Sequence, residues 1–202
     1  MSFYMKLRKI AKRPVLWLFR VALKRPVPEL PEGNLVICAN HFSYMDAIFL
    51  AVLCDTPITF LAKESLFHKP VVGWVLKKCG CIPVSRDGQD VAALRQAVRL
   101  LQAGHTIMLF PQGTRCKERF ENTEPKKGVG MLLALAHPKV LSFGIYVKNY
   151  KPRLFRKSFV APGEVKEYRL PEGMEKKEAT AYFAGEVFSE IASLCREAEE
   201  MA

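Results

Sequence analysis

From residue 35 onward the apolar positions fall into short runs that switch between two periods. LVICAN (35–40), ITFLAK (58–63), CIPVS (81–85), TIMLF (106–110) and VLSFGIYV (140–147) are nearly unbroken and rich in β-formers, which predicts strands. A further β segment is expected near Ser158–Val165. Between these runs, Tyr44–Cys54, Val71–Cys79, Val91–Ala103 and Gly128–Ala136 predict helices. In the third of them Val91, Leu94, Ala97, Val98 and Leu101 share one face, and Gly104 follows as a stop. A last helix, rich in Glu, is expected over 175–200. Alternation of this kind predicts an α/β fold with a largely parallel mixed sheet and helices on both faces. The unbroken apolar strands agree, because parallel strands are buried on both sides.

The first residues follow another pattern. FYMKLRKIAKRPVLWLFRVALK (3–24) interleaves Leu7, Ile10, Ala11, Pro14, Leu18, Trp17 and Val21 at helical spacing with basic residues. This predicts a basic amphipathic helical segment that Pro14 kinks or divides. Pro26, Pro28 and Pro31 make an extended linker that ends in the turn Glu32-Gly33-Asn34. Residues 1–28 are therefore read as an interfacial amphipathic segment and 29–202 as one domain.

Charge sharpens that division. The chain carries a net +11, from 31 basic and 20 acidic residues. Lys6, Arg8, Lys9, Lys12, Arg13, Arg20, Lys24 and Arg25 supply most of this excess, and no acid stands among them. An excess of this sign favours nucleic acid, an acidic lipid surface or phosphorylated substrates. No nucleic-acid motif occurs, and the charge sits in an amphipathic segment carrying Trp17, so no nucleic-acid partner is expected and an anionic membrane surface is favoured. An ordinary helix with a solvated basic face is the competing reading. The longest clean apolar runs, Ala47–Cys54 and Met131–Ala136, fall short of the ~18–20 residues a spanning helix needs. Val15–Phe19 is too short for a signal sequence, and Arg20 interrupts it. The expectation is a peripheral protein on the cytoplasmic face of the membrane. The 6 cysteines form no CxxC pair and no zinc-like spacing, so free thiols and no metal are expected.

Three groups of residues with chemical potential each follow a predicted strand, where ligands bind in open α/β sheets. Asn40-His41-Phe42-Ser43-Tyr44-Met45-Asp46 spans a strand-to-helix junction. On one continuous helix a spacing of five would hold His41 and Asp46 roughly 140° apart. With His41 in the turn and Asp46 in the first helical turn, the acid can fix the imidazole tautomer and leave the other nitrogen as general base. Ser43-x-x-Asp46 also fits a simple capping box. Arg86 closes Gly80-Cys81-Ile82-Pro83-Val84-Ser85-Arg86 and offers a donor fork suited to phosphate. Phe110-Pro111-Gln112-Gly113-Thr114-Arg115 is a turn with anion donors, and Lys127 stands at the helix start that follows.

NHxxxxD, GxIxVxR and FPxGTR, in this order, resemble the motifs of the glycerolipid acyltransferases, most of all those that acylate 1-acylglycerol 3-phosphate. The resemblance covers about residues 30–150. It implies that 29–202 is an acyltransferase domain and that 1–28 attaches it to the membrane. It implies His41 as general base and Asp46 as its orienting acid, with Arg86, Gln112, Gly113, Thr114, Arg115 and Lys127 binding substrate. It further implies lysophosphatidic acid as acceptor, acyl-CoA or acyl carrier protein as donor of the acyl group, and no cofactor. The family's third motif usually has Glu where this chain has Gln112, and its fourth usually has a proline that VLSFGIYV lacks. A relative that binds lipid with altered or lost activity is the alternative.

Overall fold

The strand expected at 35–40 forms over Leu35–Ala39, and every one of its residues is buried. Its side chains alternate between two cores. Val36 and Cys38 enter one, and Leu35, Ile37 and Ala39 enter the other. A strand that is apolar at every position suits only the middle of a sheet covered on both sides. The computed structural model describes residues 2–85, 91–175 and 177–202. In chain order the strands are β1 Val21–Leu23, β2 Leu35–Ala39, β3 Ile58–Lys63, β4 Ile82–Val84, β5 Thr106–Leu109, β6 Lys139–Tyr146 and β7 Ser158–Glu167. The helices are α1 Phe3–Leu18, α2 Tyr44–Leu53, α3 Pro70–Lys78, α4 Val91–Gln102, α5 Lys127–Ala136 and α6 Ala179–Glu199.

Among the described residues the strands form one sheet in the order β1-β7-β6-β2-β5-β3-β4. Neighbours run parallel, except β6 and β7, which pair antiparallel. Helices α4, α5 and α6 cover one face, where Leu101, Leu132 and Ile191 pack on Val36, Ile107 and Val140. On the other face α1 and α2 bring Tyr4, Phe49 and Leu50 onto Leu35, Ile37 and Phe143. Burying each large apolar side chain of these cores contributes about 1.5–3 kcal/mol before the entropy of ordering is set against it. Pro83 fits because β4 is an edge strand, where no partner needs the missing N–H.

The described elements thus have the α/β architecture expected, and the basic N-terminal helix packs onto it through Tyr4. The N-terminal segment differs in detail. The helix ends at Leu18 instead of running through residue 24, and it passes through Pro14 as one element. Arg20 turns the chain with φ 45°, and Val21–Leu23 then pair with Ser158–Val160 as an edge strand. Three apolar residues between arginines and lysines carry no period long enough to tell a strand from a helix. Arg8 departs from the expected solvated basic face as well. It is 8% exposed and pairs with Asp55 at 2.8 Å, so it belongs to the inward face with Tyr4.

Helix α6 lies unusually close to its neighbours. A Cβ on Gly144 of β6 would stand 2.1 Å from the Leu194 carbonyl carbon, and one on Gly130 of α5 would stand 1.9 Å from the Thr180 oxygen. Only hydrogen fits at both places. All six cysteines are free. Burial pushes the Cys54 and Cys195 thiols up to about 12, which keeps them protonated and unreactive.

Candidate active site

At the end of β2 the chain turns sharply into α2. Ser43 is the N-cap, and its hydroxyl accepts from Met45 N–H at 3.2 Å. Asp46, the third helical residue, accepts from Ser43 N–H at 2.7 Å and closes a capping box. The same oxygen, Oδ2, accepts from Phe42 N–H at 2.7 Å and lies 3.0 Å from His41 Nδ1. The cap and the histidine pair are therefore a single arrangement, and the two readings of Ser43-x-x-Asp46 do not compete. The sequence condition is met as well: His41 stands in the turn and Asp46 in the first helical turn.

Asp46 is fully buried, and Oδ1 has no hydrogen-bond partner. Burial raises its carboxyl above the ordinary value, while donation from His41, Ser43 and Phe42 pulls the other way. His41 is held from three further directions. Its ring stacks on Phe110 with centroids 3.8 Å apart and planes 10° from parallel. Its N–H donates to Gln112 Oε1 at 2.6 Å. Its carbonyl accepts from Cys116 N–H at 2.9 Å. Both backbone groups of His41 are thus taken by the FPQGTR turn and by Cys116, which follows it, and the first and third motifs form one structure.

Gln112, expected among the substrate-binding residues, is 4% exposed. Its Nε2 donates to Thr123 Oγ1 at 3.1 Å, and the Thr123 hydroxyl in turn donates to the Phe120 carbonyl at 2.7 Å. Both ends of the amide are committed inside the protein. Gly113 adopts φ +66°, and a Cβ there would press on Lys126 Cγ at 3.0 Å. Thr114 and Arg115 remain exposed beside it. The Arg115 guanidinium lies 4.0 Å from the centre of the Tyr44 ring, at the first residue of α2. A cation over an aromatic face keeps its outward donors free for an anion. Lys127 is exposed in the first turn of α5, and that helix is docked to the turn by Lys126 N–H donating to the Pro111 carbonyl at 2.7 Å. Arg86 lies outside the described residues.

Four residues that the sequence reading did not count as site residues shape this rim. Asn40 bridges to β6, donating to the Ile145 carbonyl and accepting from Ile145 N–H, each at 2.8 Å. Phe110, Thr123 and Tyr44 act as described above. The only signal in the sequence was their place within or beside the motifs.

The family model Acyltransferase matches residues 19–147, and the chain belongs to that family. A curated 1-acyl-sn-glycerol-3-phosphate acyltransferase of Bacillus subtilis is 32% identical over 88 residues, which cover 43% of this chain and 44% of that protein. The lyso-ornithine lipid O-acyltransferase of Pseudomonas aeruginosa is 31% identical over 104 residues, 48% of this chain and 40% of that one. The crystal structure of the 1-acyl-sn-glycerophosphate (LPA) acyltransferase PlsC from Thermotoga maritima superposes with TM-score 0.69 at 25% identity, covering 95% of this chain and 79% of that one. Against the curated relatives, the matched stretch spans less than half of their length.

Proposed function

We propose that this chain transfers an acyl group to the free hydroxyl of lysophosphatidic acid and so forms phosphatidic acid. The observation that carries the reading is the His41–Asp46 pair, 3.0 Å apart at the carboxyl end of a central strand. Asp46 holds the proton on Nδ1, so Nε2 is the basic nitrogen. The acceptor hydroxyl attacks the thioester carbonyl of acyl-CoA or acyl carrier protein. His41 takes the hydroxyl proton as the oxygen–carbon bond forms, and returns it to the thiolate as the carbon–sulfur bond breaks. Holding His41 by ring, N–H and carbonyl fixes the base where the hydroxyl must approach. Arg115 on Tyr44, with Thr114, Gly113, Lys127 and Arg86, binds the acceptor phosphate. Gln112 serves the same site indirectly, by holding the His41 backbone. No cofactor takes part.

The bilayer supplies the acceptor, and α1 with its basic residues attaches the chain to an anionic surface on the cytoplasmic side. No described helix is long and apolar enough to cross a membrane. The resemblance to a lyso-ornithine lipid enzyme favours one second reading, a zwitterionic acceptor without phosphate. The deciding experiment is an acyl-transfer assay on purified protein. It offers lysophosphatidic acid, lyso-ornithine lipid and glycerol 3-phosphate against acyl-CoA and acyl carrier protein. Preference for lysophosphatidic acid supports the proposal, and preference for lyso-ornithine lipid replaces it. No transfer to any of these acceptors leaves the lipid-binding alternative.

A further inference from the structure

Helix α1 presents Phe3, Leu7, Ile10, Pro14 and Trp17 along one stripe, at spacings of three and four residues. This is the face turned away from Tyr4 and Arg8, and Ile10 and Trp17 are 73% and 69% exposed. An apolar stripe on the outside of a helix already packed on its domain is unusual. Each end of the stripe meets an exposed aromatic from elsewhere in the chain. Phe3 meets Trp74 of α3 edge to face at 5.3 Å, and Trp17 meets Phe155 at 5.5 Å.

The second meeting point belongs to the connection between β6 and β7. Residues 148–157 read KNYKPRLFRK, with Lys148, Lys151, Arg153, Arg156 and Lys157 and no acid. All five are exposed, and among the described residues none of them forms an ion pair. Leu154 and Phe155 are more than half exposed in their midst. Phe155 holds φ +60°, and its N–H donates to the Leu18 carbonyl at the end of α1. The loop is thereby tied to the helix. At its other end Tyr150 packs edge-on against Phe42, the neighbour of His41, at 6.2 Å.

We propose that residues 148–157 are a second lipid-docking element. Leu154 and Phe155 enter an anionic bilayer beside Trp17 while the five cations meet lipid phosphates. Tyr150 then holds the His41 rim against the interface. Unpaired cations around exposed apolar side chains are the composition an anionic lipid surface selects. A protein partner would be expected to find acidic residues at the rim as well. The purpose of this docking rests on the proposed lipid acceptor, but the docking itself does not.

The test uses the full chain with vesicles of phosphatidylcholine plus phosphatidylglycerol, and with phosphatidylcholine alone. Two variants are compared with the parent: Leu154→Ser/Phe155→Asn, since Asn tolerates the positive φ, and Lys151→Gln/Arg153→Gln/Arg156→Gln. The first is expected to lower partitioning into anionic vesicles by about tenfold or more. The second is expected to lower it by a similar factor at low salt and by less at high salt. The chain's 2 tryptophans, Trp17 and Trp74, both lie on this face. Lipid-induced blue shift of their emission should weaken in the first variant. Transfer to a short-chain, water-soluble acceptor should stay at the parent level in both. Parent-like vesicle binding in both variants overturns the proposal. So does self-association of the parent through this face with no vesicle affinity. Absence of acyl transfer in the parent would instead remove the functional reading and leave the vesicle result to decide the docking.

Discussion

The rim at the end of β2 and the outer face of α1 treat their side chains in opposite ways. At the rim the polar groups of His41 and Gln112 are tied into one network. The His41 ring nitrogen, N–H and carbonyl are all bonded, and so are both ends of the Gln112 amide. On α1 the apolar stripe faces outward, with aromatic contacts at its two ends. A saturated network holds a group where chemistry needs it, whereas an unsatisfied surface is completed by something outside the chain. One chain thus ties down the groups of its candidate site, Asp46 Oδ1 excepted, and leaves the outer face of its first helix open.

That contrast can be tested from both sides. The largest effect is expected for His41→Ala, which should lower kcat by at least ~10²-fold and leave vesicle binding at the parent level. Near-normal kcat in folded protein would end the general-base assignment. Asp46→Asn should lower kcat strongly too, yet keep the thermal midpoint at or above that of the parent. The reason is the sign of the shift. Burial raises the Asp46 carboxyl in the folded state, so its ionised form costs stability at neutral pH, and a neutral side chain removes that cost. A clear fall in the midpoint would show that the charge supports the fold.

Arg115→Ala should raise the acceptor KM by about 10- to 150-fold, the loss of one charge-assisted contact, with the donor KM unchanged. Tyr44→Ala should move the same constant by less, because it removes only the ring beneath the guanidinium. An acceptor KM unchanged from the parent in Arg115→Ala would take the phosphate away from Arg115. The smallest effect is expected for Gln112→Glu. A carboxylate would turn an oxygen toward Thr123 Oγ1, which already donates to the Phe120 carbonyl. A fall in kcat of about tenfold or less, with unchanged order of acceptors, is expected. Relative activity of this variant should recover at low pH, where a protonated Glu can donate as the amide does. A change of preferred acceptor would return Gln112 to the substrate.

The sheet was legible because an apolar strand such as Leu35–Ala39 has one stable position, between two layers of helices. The His41–Asp46 pair was legible because strand end, turn and cap lie within eight consecutive residues, Ala39 to Asp46. What stayed hidden depends on contacts across the chain. Arg8 looks like the other cations of its segment until Asp55 meets it from the end of α2. Val21–Leu23 become a strand only because β7, more than a hundred residues later, offers its edge. The loop at 148–157 carried no motif, and its place beside Phe42 and Trp17 follows from where β6 ends.

The glycine at 144 gives helix packing a hold on the chemistry. Its neighbour Ile145 is the residue that Asn40 clasps through both backbone groups, and Asn40 directly precedes His41. A single methyl group at position 144 would have to displace either α6 or β6, and movement of β6 would be passed through that clasp to His41. Loss of activity can therefore arise at a position that no substrate touches. For an engineer, drift in the long C-terminal helix is drift in the catalytic register. For natural variation, the exposed side chains at Thr114 and Arg115 are free to change, while the spacing between α6 and β6 is not.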